Sequence, residues 1–199
     1  MDYFIRKLSK GNRRREYEDI AVLNYNKKAK LLGSITKEEI QSTVPLPVGV
    51  EYHEWLATNT LAFFNHIKLM YESLGDHCNP MACDAVLNYA TSFAPSLSNI
   101  SKKSMKMTEY IDSALLEIQN YVTDETFLPT RYDVPFPKHF FRTVHKVFHI
   151  MFHVLMHMYQ YHLEDMEGVE LLCTANTVLV HFTCFQVQYH LIESFCIDT

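Results

Sequence analysis

Glycine is scarce in this chain. Only five occur in 199 residues, Gly11, Gly33, Gly49, Gly75 and Gly168, and no two lie close together. Neither a G-x-G-x-x-G turn nor a G-x-x-x-x-G-K loop can be written, because both need clustered glycines to bring backbone amides against a phosphate. The G-x-S-x-G elbow is missing too. Nucleotide-binding α/β folds of those kinds, and that hydrolase class, are therefore disfavoured. No apolar run approaches the roughly 18 residues of a membrane span. The N-terminal MDYFIRKLSKGNRRR has no apolar segment and no small-residue cleavage site. An excess of positive charge is also lacking: the net charge is −5 and the pI near 6.1. A broad nucleic-acid footprint needs the opposite sign. Five scattered cysteines, an odd number, do not form a disulfide framework. The reading is a soluble intracellular protein with no nucleic-acid partner and no membrane insertion.

What is present suits one sizeable core, with 48% hydrophobic and 21% charged residues. Residues 1–30 carry Arg13, Arg14, Arg15, Lys27, Lys28 and Lys30 and are expected to be a polar N-terminal arm. Residues 44–50, Val-Pro-Leu-Pro-Val-Gly-Val, read as a stiff extended connector. Helical spacing then begins near Trp55 and runs to about Leu74, where Gly75 ends it. A second helix is expected from Thr108, as N-cap, to Val122. A loop with Pro129, Pro135 and Pro137 follows. A long central helix, apolar nearly all round, is expected over 138–163, then helices over 168–183 and 185–195. Strand signals are weak. The fold class is all-α, with one helical domain over 31–199.

Cys78 and Cys83 form a C-x4-C pair, and His157 and His162 an H-x4-H pair. Two thiolates and two imidazoles at such spacings make a closed tetrahedral zinc set. One geometric objection stands against it. Five residues turn a straight helix by about 140°, so the two histidines converge only if the helix ends between them. The ladder His145, His149, His153, His157 is the competing arrangement, one imidazole per turn on a single face. A four-ligand site has no open position and would be structural, whereas a metalloenzyme needs a free coordination position and a base nearby. Glu38, Glu39, Glu51 and Glu54 gather near the first long helix. They either serve helix N-termini or form an acidic face for a basic partner. Trp55, the only tryptophan, reads as a core residue.

Several stretches, in order along residues 32–182, then resemble one family. They are Leu32-Gly33-Ser34, the Val-Pro-Leu-Pro-Val-Gly connector, Glu54-Trp55-Leu56-Ala57-Thr58-Asn59-Thr60, Phe63-Phe64-Asn65 and Cys78-x4-Cys83. Further along come Asp124-Glu125-Thr126-Phe127-Leu128-Pro129, Val134-Pro135-Phe136-Pro137-Lys138, His157-x4-His162, Asn176-Thr177 and His181-Phe182. Together they resemble the Mob (Mps one binder) family of kinase coactivators, its kinase-activator branch more than its phocein branch.

The resemblance implies a Mob-type helical bundle with structural zinc on Cys78, Cys83, His157 and His162, and no catalytic activity. It implies binding to the basic N-terminal region of an NDR/LATS-type kinase, in mitotic exit, cytokinesis or Hippo-like growth signalling. Glu51, Glu54, Trp55 and His181 would carry that contact. The protein would be cytoplasmic, nuclear or at the mitotic or cytokinetic apparatus. The alternative is a phocein-like scaffold subunit of a striatin-type phosphatase–kinase assembly.

This chain also departs from the family pattern. Family members take phosphothreonine peptides from Ste20-like kinases or scaffolds through Lys and Arg on the central helix. The matching positions here are His149, Ile150 and His153. Imidazole is mostly neutral at pH 7 and isoleucine cannot pair with phosphate, so weak, absent or acid-dependent phosphopeptide binding is expected. Ala62 replaces the acidic residue usual before Phe-Phe-Asn, which favours NDR-type over LATS-type pairing. The Cys83–Lys102 loop lacks the family's His-Trp pattern, and a short tail is expected after the last helix.

Overall fold

The computed structural model describes residues 35–87, 105–131 and 133–192. The expected arm (1–30), most of the Cys83–Lys102 loop and the last seven residues lie outside the described residues. The chain gathers into two compact units, one of residues 46–172 and one combining the segments up to Pro45 and from Cys173 onward. The described architecture is helical.

In the first unit, α2 (Tyr52–Ser73) buries Leu56, Phe63, Phe64, Ile67, Met70 and Tyr71, the three-and-four spacing read from the sequence. Each such side chain contributes about 1.5–3 kcal/mol of burial. The helix stops where Leu74 N–H turns back to Tyr71 O at 3.0 Å and Gly75 N–H to Glu72 O at 3.1 Å. A Cβ at Gly75 would lie 3.2 Å from Glu72 O, so the tight exit favours glycine.

A short antiparallel pair, β1 (Val86–Leu87) and β2 (Met105–Lys106), precedes α3 (Met107–Thr123). This pair corrects the expected start of α3. Pairing holds Lys106 extended, so Lys106 takes the N-cap position and Thr108 falls inside the helix. The Met107 amide is satisfied by Ala85 O at 2.8 Å, while the buried Thr108 hydroxyl has no partner among the described residues. Tyr110, Ile111, Ala114, Leu115 and Ile118 form the buried stripe of α3.

The central helix α4 (Phe140–Tyr161) packs against both α2 and α3. Val144, Val147, Phe148, Met151, Val154, Leu155 and Met158 are its core. The Phe148 ring meets Phe63 of α2 edge-on at 5.9 Å. Before α4, Phe136 of the proline-rich segment packs 4.7 Å from the Phe140 ring, and the buried Phe127 lies 5.5 Å from that ring. The short α5 (Leu163–Gly168) follows α4.

In the second unit, α1 (Lys37–Thr43) opens on a capping box. The Thr36 hydroxyl accepts from Glu39 N–H, and the Glu39 carboxylate accepts from Thr36 N–H at 2.8 Å. The sequence reading missed α1, although Thr36-x-x-Glu39 is its signal. The two helices expected over 168–183 and 185–195 are one helix, α6 (Leu172–Gln188). No glycine or proline falls between Leu172 and Gln188, so nothing interrupts its backbone. Ile40, Val180 and Cys184 pack together, and Tyr189 O–H donates to Val44 O at 2.8 Å. No helix among the described residues is long and apolar enough to cross a membrane.

Candidate metal centre

Two local turns bring the four predicted ligands together. After α2, Cys78 N–H donates to Leu74 O at 2.7 Å and sets the first sulfur. Asn79 then folds the loop back: its side-chain carbonyl accepts from Met81 N–H at 2.9 Å and Ala82 N–H at 3.0 Å. Cys83 N–H closes onto Asn79 O at 2.9 Å, and the Lys106 ammonium donates to Pro80 O. On the other side, His157 lies in the last turns of α4. The helix ends at Tyr161, and His162 leaves it with φ −127° and ψ 25°. That break answers the rotational objection, because it brings the His157 and His162 rings to 5.0 Å.

One donor atom from each of Cys78, Cys83, His157 and His162 lies within 4.8 Å of all the others, and all four residues are buried. His157 Nε2 is 3.2 Å from Cys78 Sγ and 3.8 Å from Cys83 Sγ. Among the described residues no other group of three or more such donors gathers, so the His145–His157 ladder is not a second metal group.

The electrostatics fit a cation. Burial and the neighbouring Cys83 push the Cys78 thiol up to about 12. Burial and the neighbouring His162 pull His157 down to about 4. Without a positive charge at the centre the Cys78 thiol stays protonated, and a divalent ion would displace that proton. Among the described residues, buried His162 Nε2 has no hydrogen-bond partner; neither has His157 Nδ1, whose ring presents Nε2 to the sulfurs. An orphaned imidazole nitrogen beside two thiols is a donor set that a metal completes.

Neighbouring groups not expected from the sequence surround this cluster. The Asp165 carboxylate holds His162 Nδ1 at 2.8 Å and His77 Nδ1 at 3.2 Å. The Tyr71 hydroxyl acts electrostatically on Cys78 and donates to Asp112 at 3.4 Å. The His162-x-x-Asp165 spacing after a helix end is the signal that could have found Asp165.

The remaining predicted residues lie elsewhere. Glu51, Glu54 and Trp55 cluster at the start of α2. Glu51 is the N-cap: its Oε2 accepts from His53 N–H at 2.7 Å and Glu54 N–H at 3.0 Å, and its Oε1 is 2.6 Å from His53 Nδ1. These bonds hold the Glu51 carboxyl below the usual carboxylate range. Glu54 is exposed. Trp55 is half-buried rather than a core residue, because Leu56 beside it takes the inward position. Glu38 and Glu39 belong to α1, and His181 lies half-buried on α6, both in the other unit. Ala62 is exposed on α2. Of the three positions matching the phosphate cluster, Ile150 is 3% exposed, His149 is half-buried, and His153 is half-buried and bonded to Tyr110.

Comparison with known proteins adds the following. A family profile described as Mob1/phocein matches residues 33–198. The chain is 33% identical over 159 residues to MOB kinase activator 2 of Mus musculus, covering 80% of this chain and 68% of that protein. It is 30% identical over 159 residues to MOB kinase activator-like 1 homolog A of Dictyostelium discoideum, covering 77% and 74%. It is 27% identical over 191 residues to MOB kinase activator-like 2 of Drosophila melanogaster, covering 96% of this chain and 34% of that protein.

Proposed function

The chain belongs to the Mob1/phocein family, and from that premise we propose that it is a non-catalytic coactivator of an NDR/LATS-type protein kinase. The observation that carries the reading is the family match together with relatives in mouse, slime mould and fly that are all named as kinase activators. The buried Cys2His2 group suits zinc, whose closed four-ligand sites hold a fold together rather than activate water. Cys78, Cys83, His157 and His162 would hold it, pinning the loop after α2 to the end of α4.

The partner surface on this reading is the first turn of α2. Glu51 caps the helix, so its carboxylate is committed to backbone amides and His53. Glu54 is the exposed carboxylate left for a basic kinase segment, with the half-buried Trp55 beside it. His181 on α6 is a further contact in this proposal. Coactivation is then a population shift: the protein favours the active kinase to the extent that it binds that state more tightly. The site of action is the cytoplasm, the nucleus or the dividing cell's mitotic and cytokinetic apparatus, where such kinases control mitotic exit, cytokinesis and growth. Phosphopeptides from upstream Ste20-like kinases or scaffolds are not a major input, because the matching helix positions carry no fixed positive charge.

Co-purification from cells with the wild-type chain and with Glu54→Lys, followed by mass spectrometry, tests this reading. An AGC-type kinase of the NDR group held by the wild type and lost from the variant is the expected result. A striatin-like scaffold in its place would move the protein to the phocein-like reading.

A further inference from the structure

The metal cluster is built from two chain segments, the loop carrying Cys78 and Cys83 and the helix end carrying His157 and His162. One carboxylate touches both. Asp165 Oδ2 is 2.8 Å from Nδ1 of His162, and Asp165 Oδ1 is 3.2 Å from Nδ1 of His77, the residue preceding Cys78. His77 Nδ1 and His162 Nδ1 therefore both lie against this carboxylate, one at each oxygen. Asp165 is placed for this by α5: Met166 N–H donates to His162 O at 2.9 Å, and Val169 N–H donates to Asp165 O at 3.0 Å. Its side chain is about one-third exposed, at 32%, whereas that of His162 is 5% exposed.

We propose that Asp165 is the positioning residue of the metal centre, setting the tautomer of His162 and tying the cysteine loop to the end of α4. This inference rests on the reading of the four-donor cluster as a metal site. The argument is chemical. A neutral imidazole has one N–H and one lone pair, and a carboxylate can only accept. The bond to Asp165 therefore places the His162 proton on Nδ1 and leaves the lone pair on Nε2. Nε2 is the buried nitrogen that has no partner among the described residues. A carboxylate behind a ligating imidazole also raises its basicity and locks its ring orientation, and loss of such a partner weakens metal binding about 10–100-fold. The 3.2 Å contact with His77 extends the effect to the other segment. With both in place, the loop is held beside His162 before any ion arrives, so less ordering remains to be done on binding.

The experiment follows metal retention by the full-length protein. Zinc-loaded wild type, Asp165→Ala, Asp165→Asn and His77→Ala are mixed with a chromophoric chelator, and the release rate and competition affinity are read. Cobalt replaces zinc in a second series, whose visible bands report the ligand geometry. Asp165→Ala is expected to bind about 10–100-fold more weakly and to release metal faster, with shifted cobalt bands. His77→Ala is expected to show a smaller loss in the same direction. Asp133→Ala, a surface carboxylate paired with Arg131, is the control and should match wild type. If Asp165→Ala lacks native helicity, the isosteric Asp165→Asn carries the test, because its amide can accept from only one of the two histidines. Wild-type affinity, release rate and cobalt spectrum in both Asp165 variants would overturn the proposal. Failure of the wild type itself to bind zinc or cobalt would instead overturn the metal reading on which it rests.

Discussion

The phenol oxygen of Tyr110 lies 3.0 Å from Nδ1 of His153, joining the start of α3 to the middle of α4. Burial, with a lesser contribution from the charge of His149, pulls His153 down to about 4. His153 is therefore neutral across the physiological range and cannot replace a phosphate-binding cation, even in mildly acidic conditions.

A phosphothreonine peptide is accordingly expected to bind no more tightly than its unphosphorylated form at pH 8 or pH 6, measured by calorimetry. Strong binding at both values would show that phosphate is read elsewhere. Restoring a basic residue will not be simple, since Ile150 is buried. Ile150→Arg should destabilise the fold by about 3 kcal/mol or more, because it strands a charge in the core.

The same histidine makes stability pH-dependent, and the sign is fixed by its depressed value. Below about pH 6.5 the unfolded chain takes up a proton that the native His153 refuses until about pH 4. Stability at this site is full above pH 6.5 and is lost as pH falls toward 4, with a slope approaching about 1.4 kcal/mol per pH unit. His153→Gln should flatten that part of a denaturation series. An unchanged slope would assign the acid lability to other groups.

Glu51 and Glu54 should separate cleanly. Glu51→Ala removes a cap serving two backbone amides and is expected to cost about 1 kcal/mol of stability. Glu54→Lys should leave stability within about 0.5 kcal/mol, because Glu54 is exposed, while weakening a basic kinase segment in a salt-dependent way. Denaturation midpoints and binding at two ionic strengths check both. A binding defect confined to Glu51→Ala would reverse the roles assigned here.

Lys146 and Glu117 join α4 to α3 through a direct ion pair whose side chains are only 21% and 22% exposed. Tyr121 O–H also donates to Glu117 Oε1 at 3.1 Å. A double-mutant cycle with Lys146→Met and Glu117→Gln should give a coupling energy of about 1–2 kcal/mol, more than an exposed pair provides. Additive single effects would place this pair with weak surface contacts.

If zinc is the resident ion, thermal stability should rise with free zinc. At a thousand times the dissociation constant the gain is about 4 kcal/mol. Cys83→Ser should abolish most of this dependence, and hydrogen exchange should show the protection lost mainly over residues 74–87. A melting temperature unaffected by zinc or chelator would rule out a structural metal.

The apolar spacing of α2, α3 and α4 was legible in the sequence, because a buried helix face must repeat every three to four residues. Gly75 marked the exit of α2 for the same kind of local reason. Boundaries set by distant partners were not legible. Thr108 resembled an N-cap, yet the β1–β2 pairing starts α3 at Met107 instead. The single helix α6 was divided in two because its apolar residues do not keep one clear face. Trp55 was expected inside, but a one-residue shift of phase gives that place to Leu56.

The sequence by itself determined the residue types of the candidate metal group, the helical class and the family resemblance, since donor chemistry and periodicity are written in residue order. The resemblance already implied that His157 and His162 meet the cysteines; only the tertiary structure showed how they converge. The spacing of His157 and His162 argues against convergence on a straight helix, and the chain resolves it by ending α4 at Tyr161. The same was true of the acidic residues. Glu51 and Glu54 look alike in a string of letters, but one carboxylate is turned back onto the amides of its own helix and the other faces solvent. Side-chain direction depends on where a helix begins and on what packs against it, and those are properties of the folded chain.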